Sequence, residues 1–136
     1  MAITTLTEDQ VRDKARQILS LEDTETAQSG VGQLTSFKKL GFVGKGANNR
    51  PDGWYLPHQT IFPAIILEVK NEETELKTPQ IEELLKNCRI AHTKYKDVIG
   101  ILYNGIDIQV FKNEELVEGE TSLLNKEHYL GLFEKN

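Results

Sequence analysis

The stretch Pro63-Ala64-Ile65-Ile66-Leu67-Glu68-Val69-Lys70 constrains the fold more than any other part of this chain. A continuous apolar, β-branched run of this length is what a strand covered on both faces requires. It therefore predicts a central strand with a layer on either side. A Glu and a Lys interrupt the end of that strand, where burying charge costs several kcal/mol unless partners or a metal compensate. Residues two apart on a strand share a face, so Glu68 and Lys70 project side by side while Val69 faces the opposite layer. An Asp on a neighbouring extended segment, Asp52 after Pro51, completes a cluster of two acids and one base at a strand end. Two converging carboxylates suit a hard divalent cation such as Mg²⁺. An ammonium beside them can orient or deprotonate a water and steady phosphate charge.

The rest of the chain reads as elements around that strand. Thr7 followed by Glu8, Asp9 and Gln10 is an N-cap with an acidic first turn, and Val11, Ala15, Ile18 and Leu19 make an apolar stripe, predicting a helix over about 8–20. Thr24 or Thr26 opens a second expected helix running to Leu40, with Val31, Leu34, Phe37 and Leu40 on one face and Gly41 as its C-cap; Gly30 and Gly32 weaken its middle. Gly44 to Arg50 is a loop by composition, and Pro51 begins an extended piece through Trp54, Tyr55 and Leu56. Thr78-Pro79 opens a helix carrying Ile81, Leu84, Leu85, Cys88 and Ala91 at three-and-four spacing. Val98–Tyr103 and Ile106–Phe111 read as two strands joined at Asn104-Gly105, a strong hairpin signal, and the tail from Ser122 to Phe133 reads as a short closing helix. The order predicts an α/β or α+β sandwich with a small mixed β-sheet flanked by helices.

At 136 residues the chain has the size of one domain, taken as 1–136, and its 38% hydrophobic and 27% charged content is that of a folded protein. The apolar stretch 63–67 falls far short of the roughly 20 residues of a membrane span, and the N-terminus has no charged start followed by an apolar stretch. No membrane partner and a cytoplasmic location are expected. Cys88 is the only cysteine, which excludes an internal disulfide and a zinc finger and fits a reducing compartment. His58, His92 and His128 lack ligand spacing, and Lys45 between Gly44 and Gly46 lacks the rest of a phosphate loop. The net charge of -5 argues against gripping nucleic acid by general positive charge. Residues 30–62, however, carry Lys38, Lys39, Lys45 and Arg50 against Asp52 alone, whereas 101–136 carry seven acids against Lys112, Lys126 and Lys135. A polyanion would meet the first region and avoid the second.

The words Arg50-Pro51-Asp52-Gly53 and Leu67-Glu68-Val69-Lys70, followed by Val98–Gly105 and Ile106–Phe111, resemble the PD-(D/E)XK nuclease superfamily. They are most like the N-terminal nuclease domain of type I restriction enzyme R subunits, over about residues 22–112. The resemblance implies a restriction endonuclease-like three-layer sandwich and a metal-dependent deoxyribonuclease that hydrolyses DNA phosphodiester bonds with Mg²⁺, or Mn²⁺ as its substitute. It implies Asp52 and Glu68 as metal-binding acids, the Val69 carbonyl as a further ligand and Lys70 as the motif lysine. Family members often add an acid from the helix before the first strand, for which Glu25 at the start of the expected second helix is the candidate, with Glu22 and Gln28 as alternatives. Some add a Gln after the ExK strand, matched here by Gln80, although Leu84 stands where the exonuclease-like branch has Tyr. Lys45, Asn49 and Arg50 are the expected DNA contacts. Acids around Glu72 and Glu82 weaken stand-alone DNA binding, so a homodimer or partner subunit is expected to supply the missing affinity. The alternative is a catalytically inactive DNA-binding or assembly module with the same fold.

Overall fold

In the computed structural model, which describes residues 5–22 and 25–134, six strands form one mixed sheet in chain order. They are β1 (Ala27–Val31), β2 (Gly53–Pro57), β3 (Ala64–Val69), β4 (Val98–Tyr103), β5 (Ile108–Lys112) and β6 (Glu115–Leu116). The helices are α1 (Glu8–Leu19), α2 (Thr78–Ala91) and α3 (Lys126–Leu130), the last continued by a 3₁₀ turn over Gly131–Phe133. Only β3 and β4 pair in parallel, from Ala64 opposite Val98 to Val69 opposite Tyr103, and α2 is the crossover between them. Every residue of β3 and β4 is buried, as the apolar run requires.

The alternation of β3 divides the core. Ile65, Leu67 and Val69 pack with Val11, Ala15 and Leu19 of α1 and Tyr129 of α3. Ala64 and Ile66 pack with Leu84, Cys88 and Ala91 of α2 and with Phe37, Leu40 and Phe42. Thr7 caps α1 in both directions: its hydroxyl accepts from the Gln10 N–H at 3.3 Å, and its own N–H donates to the Gln10 side chain at 2.9 Å. Gly100 sits on β4 beneath α2, where an added Cβ would stand 2.6 Å from the Cys88 sulfur. The close approach of helix and strand therefore depends on that glycine. Among the described residues no helix is long and apolar enough to cross a membrane.

Three expectations require correction. The segment expected as a second helix to Leu40 is instead β1 followed by turns, and Thr24 lies outside the described residues. The glycines explain why. Gly30 lies against the Trp54 ring, where a Cβ would stand 2.9 Å from Cζ2, so β1 can pair with β2 only with a bare backbone there. The supposed stripe separates: Val31 ends the strand, Leu34 is 76% exposed, and Phe37 and Leu40 are buried from a loop. The hairpin turn is also longer than a two-residue Asn-Gly connection. Residues 104–107 form the loop, in which the Asn104 carboxamide oxygen accepts from the N–H groups of Ile106 and Asp107 at 2.9 and 2.6 Å. Ile106 is exposed and stays out of β5. Finally, the closing helix begins at Lys126 rather than near Ser122.

Candidate functional site

The chain brings Asp52, Glu68 and Lys70 together where β2 begins and β3 ends. Asp52 immediately precedes Gly53, which stands opposite Leu67, and the Asp52 N–H donates to the Leu67 carbonyl at 3.1 Å. Its Oδ2 accepts the Val69 N–H at 3.0 Å, so the side chain is anchored across the strand end. A strand residue directs its N–H and C=O to the same neighbour, which turns the Val69 carbonyl toward Asp52. Asp52 and Glu68 are 8% and 5% exposed. Glu68 faces α2, where Asn87 donates to its Oε1 at 3.5 Å and Lys70 Nζ lies 3.7 Å from its Oε2.

Burial is the first cause that pushes the Glu68 carboxyl up, to about 9, and the charges of Asp52 and Glu83 add to it against the pull of Lys70. Glu68 is therefore a protonated acid at neutral pH when no other cation is near, and it donates to Glu83. Burial also opposes the Lys70 ammonium, but Glu83, Glu68 and Glu8 outweigh it and hold the amine above its ordinary value. Lys70 is a fixed cation, 2.7 Å from Glu83 Oε2. Partial burial works against the Glu83 charge as well; hydrogen bonds from Lys70 and Glu68 and the charges of Lys70 and Lys86 prevail and lower it.

Several contributors escaped the sequence reading. Arg12 of α1, 5% exposed, donates from Nε and Nη2 to Asp52 Oδ1 at 3.1 and 2.8 Å, while Nη1 donates to Asp9 and Nη2 also to Glu8. Glu8 comes from the helix that does precede the first strand, and it reaches the surroundings of Lys70. Glu83 and Lys86 come from the second and third turns of α2. A signal for Arg12 was present: it sits on the same side of α1 as Glu8, Ala15 and Leu19, a charge beside the apolar stripe.

Glu25 is not part of this cluster. It precedes the end of β1 that pairs with Pro57, while the other end, Val31, pairs beside Asp52. β1 has five residues, so its two ends stand roughly 13 Å apart. The acid expected to open a helix instead leads into a strand and is carried to the far side of the sheet. Gln80 is likewise committed elsewhere, its side-chain oxygen accepting the Lys77 N–H at 2.9 Å to close the start of α2. The loop residues divide. Asn49 and Arg50 line a cleft of about 200 Å³ with Glu68, Glu83, Lys86 and Asn87, whereas Lys45 borders a separate hollow with Lys38 and Phe42.

For a metal, the donor set is small. Among the described residues no group of three or more His, Cys, Asp or Glu side chains is arranged to hold an ion. Asp52, Glu68 and the Val69 carbonyl nevertheless match what Mg²⁺ uses, one or two carboxylates with water and substrate oxygens completing the shell. Burial, reinforced by the charges of Asp52 and Glu83, keeps Glu68 protonated, and a nearby cation would relieve the part due to those charges. No protein-family model, no characterised protein and no solved structure matches this chain significantly.

Proposed function

We propose that this domain is a metal-dependent deoxyribonuclease of the PD-(D/E)XK superfamily, with a restriction endonuclease-like three-layer sandwich, and that it hydrolyses DNA phosphodiester bonds. The observation that carries the reading is the convergence of Asp52, Glu68 and Lys70 at one strand end, beside a cleft edged by Arg50 and Lys86. Asp52 and Glu68, with the Val69 carbonyl, would hold Mg²⁺ or Mn²⁺. Such an ion supplies Lewis-acid polarisation of a phosphoryl oxygen. Lys70, kept protonated by its acidic neighbours, positions a water or steadies phosphate charge and does not act as a base. Glu68 must give up its proton for its carboxylate to serve as a ligand, so metal affinity rises with pH. Arg50 and Lys86 hold flanking phosphates at the cleft mouth, with Asn49 beside them and Lys45 more distant.

One observation favours a second reading, a DNA-binding or assembly module without catalysis. Arg12 already neutralises Asp52, as a buried structural ion pair would. Incubating the protein with single-stranded, duplex and branched DNA in Mg²⁺ and in Mn²⁺ separates the two. Cleavage that is abolished by EDTA is the expected result. Binding without cleavage of any of these substrates would favour the module.

A further inference from the structure

Asp52 has little left to offer a ligand. An ionised carboxylate presents roughly four lone-pair directions, two on each oxygen. Arg12 Nε and Nη2 take both on Oδ1, at 3.1 and 2.8 Å, and the Val69 N–H takes one on Oδ2 at 3.0 Å. One direction on Oδ2 remains. The guanidinium that causes this is itself immobilised: Arg12 is 5% exposed, and its Nη1 and Nη2 also donate to Asp9 and Glu8.

We propose that Arg12 is a positioning residue that restricts Asp52 to single coordination through Oδ2 and holds the affinity of the cleft for a divalent cation low. This rests on the metal-site reading of Asp52 and Glu68. Two effects act in the same direction. The fork blocks the bidentate mode that would otherwise be open to Asp52, and its fixed positive charge repels an incoming dication across a short, poorly solvated distance. The chain thus carries an internal cation where the metal's charge is needed, and full occupancy of the cleft requires further oxygens from substrate phosphate.

The test is Mn²⁺ binding, followed by the loss of the free-ion paramagnetic resonance signal, for the wild type, Arg12→Gln, Arg12→Lys and Asp52→Asn. Arg12→Gln should bind Mn²⁺ about tenfold tighter than the wild type, because a repelling charge within a few ångströms is gone. Arg12→Lys, which keeps a charge but cannot present the same fork, should be tighter by a smaller factor. Because Arg12→Gln leaves Asp52 buried and unpaired, its melting temperature in EDTA should fall, and Mn²⁺ should raise it more than it raises that of the wild type. If Arg12→Gln does not fold without metal, recovery of its circular dichroism spectrum on adding Mn²⁺ supports the proposal. Folded Arg12 variants that bind Mn²⁺ no tighter than the wild type would overturn it, leaving the metal site intact. Wild-type binding unchanged by Asp52→Asn would remove the metal-site reading itself.

Discussion

Glu68 is the residue whose charge state most clearly separates folding from function. Its folded carboxyl sits near 9 against an ordinary value of 4.5, raised first by burial. The folded protein therefore binds a proton that the unfolded chain has released. The stabilisation is fully present below 4.5 and is lost as pH rises toward 9. Thermal melts in metal-free buffer should show the wild type losing stability steadily over that window. Glu68→Gln, which keeps the shape and removes the ionisation, should melt higher at pH 8 and show a flatter profile. Parallel pH profiles for the two proteins would mean that Glu68 is not buried as described. At this scale Asp52, Glu68 and Lys70 were legible because a strand's two-residue period and a nearby Pro-Asp are local features. Arg12, Glu8 and Glu83 were not, since their arrival depends on how two helices cross the end of β3. Glu25 was misplaced for the same reason: its position follows from the strand it precedes.

Among the elements, β3, α2 and β4 were readable from sequence: β3 and β4 as short apolar runs buried throughout, α2 from a three-and-four spacing that puts Leu84, Cys88 and Ala91 inside. The segment after Leu21 was not, because Val31, Leu34, Phe37 and Leu40 fall at helical spacing by coincidence while serving a strand end, a surface and a loop core. Gly30 discriminates between the two assignments. In a helix, Gly30→Ala would stabilise by about 1 kcal/mol. On β1 the new Cβ meets Trp54 at 2.9 Å, so Gly30→Ala should instead destabilise by about 1–3 kcal/mol, as overpacking does. Urea unfolding followed by Trp54 fluorescence reads the sign directly. A stabilised variant would contradict the strand.

Taken as a whole, the molecule is acidic, and two of its cations stand at the mouth of the cleft. Arg50 and Lys86 edge the Glu68 cleft, whereas Lys96 lies just before β4, at the opposite end of β3 from Glu68. Lys126, in the C-terminal stretch that a polyanion was expected to avoid, is 8% exposed and stacks 4.6 Å over Tyr55, while Lys135 lies outside the described residues. Lys96 is thus the proper control. Fluorescence anisotropy with duplex DNA across salt concentrations should show that Arg50→Ala and Lys86→Ala together lower affinity and flatten the salt slope by about one unit per contact, with Lys96→Ala near wild type. Equal effects at both ends would move the approach face elsewhere. The central claim, that the strand-end cluster breaks phosphodiester bonds, is tested most directly by the rate at which supercoiled plasmid is nicked in Mg²⁺ by the wild type and by Lys70→Ala. The account predicts nicking by the wild type and a loss of about a hundredfold or more in the variant, the scale of removing one fixed transition-state charge, with its fold retained. Nicking by Lys70→Ala at the wild-type rate would contradict it.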